Sequence, residues 1–229
     1  MKKKLVVLSG AGVSAESGIS TFRDSDGLWE NYNVMEVASI EGWYQNPELV
    51  IDFYNQRRTQ LANVEPNDAH KIIAQLEEHY DVTVVTQNVD NLHERAGSTN
   101  IIHLHGELTK VCSSDRKKHI KDIGYTTFEF GKLAPDGQLL RPFIVWFGEE
   151  VPLIQKAAEV VADADIIIII GTSLNVYPAA GLLYSASKHA QIYVIDPKEV
   201  QPISRTVHFI KEKATVGMKK LFLLFSPTF

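Results

Sequence analysis

Two histidines stand two residues apart in the run Ile101-Ile102-His103-Leu104-His105-Gly106. Imidazole titrates near neutrality, so either ring can act as a general base, and Gly106 leaves room beside it for a substrate. If a short strand continues through His105, alternation turns both rings to one face. A His-x-His pair can also hold a metal, but no nearby Cys or carboxylate cluster completes a site. Single histidines are more often structural than catalytic, so the general-base reading of His105 leans on the motifs around it.

Three other strings carry chemistry at the ends of apolar runs. Gly10-Ala11-Gly12-Val13-Ser14-Ala15 fits G-x-G-x-x-G/A after a strand: Gly10 for the tight turn, Gly12 for close approach of a pyrophosphate, Ala15 for helix–strand packing. The helix that opens there would offer unpaired N–H groups to phosphates; an ordinary turn is the other reading. Thr86-Gln87-Asn88-Val89-Asp90-Asn91 ends a second run, and Asn88 with Asp90 suits a carboxamide such as nicotinamide. Alternatively, Asp90 caps a short helix through Arg95. Gly171-Thr172-Ser173 ends a third run with backbone N–H and two hydroxyls for phosphate or ribose, and Asp196 after a fourth can accept from an adenosine ribose.

One departure from a dehydrogenase pattern is plain. A second strand should end in a ribose-binding acid about 20 residues after the glycines. Instead the chain runs Gly18-Ile19-Ser20-Thr21-Phe22-Arg23-Asp24, with no β run before Trp29. This predicts a long loop over the cofactor, in which Phe22 shields and Arg23 polarises its reactive end. A mobile surface loop is the alternative.

The elements that must position these residues follow from periodicity. Lys4–Ser9, Asp81–Thr86, Asp165–Ile170 and Gln191–Ile195 are short, apolar and without alternation, as in strands covered on both faces. Helical patterns lie at Pro47–Leu61, Asn67–His79, Pro152–Ala162 and Pro178–Ser187, with Asn46 and Asn67 as N-caps. The alternation predicts an α/β fold, a doubly wound parallel sheet of Rossmann-like type. Residues 18–45 read as a functional loop leading into irregular helix, and 109–141 as a small inserted module.

Composition sets bounds on partners. Among 229 residues the formal charge is −5, which gives no electrostatic reason to expect nucleic acid. Lys2-Lys3-Lys4 precedes an apolar run ending at Leu8, too short for a signal peptide, and Ile166–Ile170 is too short to cross a bilayer. The one cysteine, Cys112, excludes an internal disulfide and fits a reducing compartment, so a cytoplasmic protein without membrane contact is expected.

Taken together, the strings resemble the sirtuin family over nearly the whole chain. Gly10–Ser14, Gly18–Arg23, Gln87–Asp90, His105-Gly106 and Gly171–Ser173 carry the likeness, joined by Val145-Trp146-Phe147-Gly148-Glu149. The resemblance implies one catalytic domain over 1–229, with a small module of approximately 18–64 plus 109–141 and NAD bound in the cleft. It implies NAD-dependent removal of acyl groups from protein lysines, giving nicotinamide and O-acyl-ADP-ribose. His105 would be the base on the ribose hydroxyls, and Asn88 would order ribose and water. Gly10, Ala11, Gly12, Ser14, Glu16, Thr21, Phe22 and Arg23 would face NAD. So would Gln87, Asn88, Val89, Asp90, Gly171, Thr172, Ser173 and Asp196. The backbone of Val145, Trp146, Phe147 and Gly148 would pair with an acyl-lysine protein substrate as an added strand.

Tyr54 and Arg57 share a face of the helix expected over 47–61, and a phenol beside a guanidinium suits a carboxylate. In the desuccinylase-like branch such a Tyr-x-x-Arg pair recognises succinyl- or malonyl-lysine; otherwise it is a packing Tyr beside a solvated Arg. Arg58 is expected to point elsewhere, into solvent. The small module departs from its relatives, which bind zinc through two Cys pairs. Cys112-Ser113-Ser114-Asp115 supplies one cysteine and none follows, so no metal is expected, and Tyr125, Phe128, Phe130 and Leu133 would hold the module by packing. Three alternatives remain: an NAD(P) oxidoreductase, a mono-ADP-ribosyltransferase, and an NAD-binding protein without deacylase activity.

Overall fold

The computed structural model describes residues 2–19, 32–115, 117–172, 177–198 and 206–225. Its strands are β1 (Lys4–Ser9), β2 (Asp81–Thr86), β3 (Ile101–His103), β4 (Gly106–Ser113), β5 (Lys121–Asp122), β6 (Leu140–Ile144), β7 (Ile166–Ile170), β8 (Gln191–Ile195) and β9 (His208–Ile210). Its α-helices are α1 (Gly12–Ala15), α2 (Val34–Val37), α3 (Ile40–Gln45), α4 (Pro47–Ala62), α5 (Asp68–Gln75), α6 (Leu92–Ala96), α7 (Ile154–Ala162) and α8 (Ala214–Phe225).

The large sheet is parallel throughout, in the order β3-β2-β1-β7-β8-β9. Five isoleucines make up β7, and all are buried because both faces are covered. Val7 and Ile168 face α5, the 3-10 turn after it and α8 through Ile73, Leu76, Met218 and Leu221. Val6, Ile167 and Ile169 face α7 and a 3-10 turn through Val161, Leu182 and Leu183. At roughly 1.5–3 kcal/mol per fully buried aliphatic side chain, these two layers supply much of the drive to fold. The chain builds outward from β1 through β2 and β3, then returns to β7 on β1's other side. The strand order therefore reverses between β1 and β7, and at such a switch point the carboxyl ends of parallel strands hold a ligand crevice.

A second, antiparallel sheet, β5-β4-β6, stands apart from the first. It shares an apolar cluster with α4, where Phe53, Tyr54 and Leu61 meet Leu108, Val111, Ile144 and Trp146. Asn46 caps α4 by accepting from the Leu49 amide, with Pro47 in its first turn, and Asn67 caps α5 through the Ala69 amide.

Several sequence expectations need adjustment. The third run is a strand from Ile166, one residue after the expected start, and the Asp165 carboxylate before it accepts the Lys4 amide at 2.9 Å. The 178–187 segment forms 3-10 turns at Ala179–Ser185 rather than an α-helix. Of the four residues expected to pack the small module, Phe128 is buried while Tyr125, Phe130 and Leu133 are exposed. Arg58 is fully buried, not solvated: its Nε donates to Leu108 O at 2.9 Å, its Nη1 to Asn55 Oδ1 at 2.8 Å, and its guanidinium lies over Phe128. Burial pulls it down to about 10. Its bond to the Leu108 carbonyl on β4 and its contact with the Phe128 ring offset the burial of this arginine. Among the described residues no helix is long and apolar enough to cross a membrane.

Candidate active site

The crevice floor is made by glycines that let two loops touch. A Cβ on Gly12 would come within 2.7 Å of Gly171 Cα, and one on Gly10 within 2.7 Å of Thr172 Cβ. The glycine pattern thus answers first to protein packing between the β1 and β7 loops. The expected row of free helix N–H groups is not found. Gly12 N donates to Gly171 O, Val13 N to Gly10 O and Ser14 N to Ala11 O. The reason is length: α1 is a single turn, closed by its own short-range bonds and by the neighbouring loop.

The carboxyl end of β2 brings most of the expected polar residues together. Asn88 is buried; its amide donates to Thr86 Oγ1 at 3.0 Å and its Nδ2 to Gly10 O at 3.2 Å and Ser14 Oγ at 3.1 Å. Ser14 Oγ in turn donates to Asp90 Oδ2 at 2.9 Å, and the other oxygen of Asp90 accepts the Leu92 amide at 3.1 Å. Asp90 therefore takes the first amide of α6 from one residue before its N-cap, Asn91, and it also joins the crevice network; burial raises its pKa against those hydrogen bonds. Gln87 Nε2 donates to Thr172 Oγ1 at 3.1 Å, joining the β2 loop to the β7 loop. Asp196 sits at the end of β8, with Oδ1 accepting the Lys198 amide at 2.8 Å.

The two histidines reach the same loop by different means. The strand ends at His103, and a turn carries the chain on, with Leu104 N donating to Thr86 O at 2.9 Å. His105 Nδ1 lies 3.0 Å from Gln87 O and His103 Nδ1 lies 3.2 Å from Asn88 O. A carbonyl only accepts, so each Nδ1 carries hydrogen. In His105 this leaves Nε2 to take a proton; burial lowers its pKa, and the Gln87 bond partly offsets that. His103 is different. Its Nε2 meets Glu94 Oε1 at 2.5 Å, and although burial opposes charge, Glu94 and Glu107 lift its pKa above the ordinary value.

Glu94 and Glu107 correct one expectation. The fold does bring carboxylates to His103, one member of the His-x-His pair: ligand atoms of Glu94, His103 and Glu107 lie within 4.8 Å of one another. Glu94 comes from α6, so sequence neighbours alone did not reveal it. Two further expectations shift. Glu16 turns both carboxylate oxygens to Thr215, N at 2.9 Å and Oγ1 at 3.0 Å, at the start of α8. In the segment expected to pair with substrate, Val145 N donates to His105 O, Trp146 N to Glu149 and Phe147 N to Ala38 O. Three of its four amides are therefore committed, and Trp146 is buried inward. Thr21, Phe22, Arg23 and Ser173 lie outside the described residues.

Tyr54 and Arg57 share the inward face of α4. Trp146 Nε1 donates to Tyr54 Oη at 3.0 Å, and burial pushes the phenol up to about 12, so it stays protonated. Burial lowers Arg57, against the pull of Tyr54 and Asp90. A residue not anticipated from sequence is Arg141, buried and paired at 2.9 Å with Glu149 at the other end of the 145–148 segment. Opposite charges on either side of an apolar run were the available signal.

The Sir2 family model matches residues 10–178, a span holding every loop just described except that after β8. The chain belongs to the Sir2 family. A Bacteroides thetaiotaomicron protein named NAD-dependent protein deacylase is 56% identical over 98% of this chain and 99% of its own. Among solved Sir2 structures, a mutant homologue with ADP-ribose is 38% identical at TM-score 0.89, covering 99% of this chain and 96% of the other. A Sir2 homologue in complex with NAD is 39% identical at TM-score 0.86, covering 97% and 89%. The sirtuin likeness read from the motifs is thus a family membership, and the doubly wound parallel sheet is the Sir2 scaffold.

Proposed function

We propose that this Sir2 enzyme removes acyl groups from protein lysines with consumption of NAD, and that it favours acyl groups ending in a carboxylate. The donor set fits a dinucleotide: Asn88, Asp90, Gln87, Thr172 and Asp196 gather at the crevice where the strand order reverses. NAD supplies the ribose that receives the acyl group, and nicotinamide leaves. His105 Nε2 takes the proton of a ribose hydroxyl, held in place through Nδ1 and Gln87 O. Asn88, fixed by Gly10 and Ser14, orders the ribose, while Val89 and Asp90 hold the carboxamide. On the substrate side, Gly148 is the position of the 145–148 segment whose amide has no partner among the described residues. The family proteins named deacylase support the reaction class.

The acyl preference rests on one observation, a face of α4 that carries buried Tyr54 and half-buried Arg57. Tyr54 Oη already accepts from Trp146, so its own hydrogen is free to donate, and a guanidinium one turn along keeps its charge even when buried. A phenol and a guanidinium in a low-dielectric site bind a carboxylate strongly. We further propose that 18–64 and 109–141 form one module held without zinc, by Phe128, Arg58 and the Arg141–Glu149 pair. Cys112, the one cysteine of the chain and buried, fits a reducing cytoplasm.

The test is a panel of acetyl-, succinyl- and long-chain acyl-lysine peptides with NAD, following nicotinamide and peptide mass. Succinyl turnover should lead, and Arg57→Met should cut it roughly 10- to 100-fold, as for a lost charged hydrogen bond. A preference for acetyl or fatty acyl peptide that Arg57→Met leaves unchanged would reject the carboxylate pocket.

A further inference from the structure

We propose that Arg141, far along the chain from α4 and outside the acyl pocket, positions the Tyr54 phenol through Trp146 and thereby tunes acyl selection. The inference rests on the carboxylate-pocket reading and adds a residue to it. Arg141 lies on β6 and is 2% exposed. Its two terminal nitrogens grip Glu149 at 2.9 and 3.0 Å, and Nη2 also donates to Ile144 O at 2.9 Å. A guanidinium held by three such bonds has one orientation. That orientation lays its Cζ 3.5 Å from the centroid of the Trp146 ring.

Trp146 has few alternatives once Arg141 is in place. Its ring stacks on Trp43 at 5.3 Å, and its amide donates to the same Glu149 carboxylate at 2.8 Å. Glu149 thus fixes the residue from the backbone while Arg141 fixes it from the ring face. Lys117, 3.1 Å from Glu149, adds a second cation to the carboxylate. The edge of the ring then carries Nε1 to Tyr54 Oη at 3.0 Å. Tyr54 is 3% exposed, so no solvent stands ready to replace that donor. The indole bond decides which way the phenol hydrogen points, and the hydrogen is what a carboxylate would read.

Arg141 is therefore a positioning residue, acting on a side chain of α4 from the second sheet. Replacing it with lysine keeps the positive charge near Glu149 but loses the planar fork and the ring contact. The ring of Trp146 then gains freedom, and the phenol loses its fixed donor. Binding of a carboxylate should weaken more than binding of a neutral acyl group, which has no use for the phenol hydrogen.

The experiment pairs kinetics with a spectrum. The chain has three tryptophans, so 15N-labelled protein shows few indole N–H signals, and Trp146→Phe identifies the relevant one. In Arg141→Lys that signal should shift as it does in Tyr54→Phe, and in Tyr54→Phe/Arg141→Lys the two effects should not add. The same Arg141→Lys protein should show KM for succinyl peptide raised roughly five- to tenfold, the loss of about one hydrogen bond, with kcat little changed and acetyl KM moved less than twofold. An unmoved indole signal, or equal loss on both peptides, would overturn the proposal and leave a merely structural ion pair. Wild-type protein and Arg57→Met on the two peptides report separately on the carboxylate pocket. If that pocket fails, the indole coupling between Arg141 and Tyr54 is still read; if the coupling fails, the Arg57 effect still stands.

Discussion

His105 donates its Nδ1 hydrogen to the carbonyl of Gln87 across 3.0 Å, and that bond makes Nε2 the basic nitrogen of the ring. The loop that orders the crevice therefore also sets the tautomer of His105, the proposed base. Because burial holds His105 below its ordinary value, it is neutral at pH 7 and remains so somewhat below pH 6.5. The acid limb of kcat/KM should accordingly fall at a pH below 6.5. His105→Tyr should lose at least about 100-fold in kcat, the usual contribution of a general base. An acid limb well above pH 7, or turnover surviving the substitution, would rule out the assignment.

A second histidine pair makes stability depend on acid. His70 and His93 are buried with ring centroids 4.9 Å apart, and neither nitrogen of His70 has a hydrogen-bond partner among the described residues. Burial pulls His70 down to about 4 and His93 well below its usual value. The folded state thus binds fewer protons than the unfolded chain between about pH 6.5 and pH 4. Stability is present above pH 6.5 and falls as pH drops through that window, by about 3 kcal/mol for His70 alone. Urea melts at pH 7.5 and 5 should show it, and His70→Phe should flatten the difference. Equal midpoints at both pH values in wild type would contradict the burial argument.

Glu94 and His103 should behave in the opposite sense. His103 is lifted above its usual value by Glu94 despite burial, so the pair's stabilisation is complete below pH 6.5 and disappears as pH rises through the folded value. Glu94 is partly exposed, which limits the contribution to about 1 kcal/mol. Glu94→Gln should therefore cost more at pH 6 than at pH 9, measured by the same melts. A cost that grows with pH would refute the ion pair.

Arg58 gives the sharpest difference between sequence and structure. Arg58→Ala removes a buried donor to Leu108 O and opens space beside Phe128, and should cost about 2–4 kcal/mol. A change below about 0.5 kcal/mol, the usual figure for a surface residue, would restore the solvated reading.

These residues show why part of the molecule was legible and part was not. The strands β1, β2, β7 and β8 announce themselves because burial on both faces demands unbroken apolar runs. Asn46 and Asn67 mark helix starts by local chemistry. Among the described residues, the loops after β1, β2 and β7 meet at one end of the sheet through Gly10, Asn88, Gln87 and Thr172, since strand order determines which strand ends are neighbours. What escaped depends on partners distant in sequence. Glu94 meets His103 across a turn, Arg58 meets a carbonyl 50 residues on, and Arg141 of β6 lies against Trp146, whose indole reaches Tyr54 on α4. No periodicity records such meetings. The free N–H row at α1 was overread because the motif does not state how short the helix is.

The central claim is that acyl transfer to ADP-ribose proceeds through His105, and product stoichiometry tests it most directly. Full-length protein, NAD and succinyl-lysine peptide are incubated, and nicotinamide, freed peptide and ADP-ribose species are counted by mass spectrometry. The expected result is one nicotinamide and one O-succinyl-ADP-ribose per deacylated peptide, with all three lost in His105→Tyr. Nicotinamide released with ADP-ribose joined to protein, or NAD bound with no peptide mass change, would contradict the account.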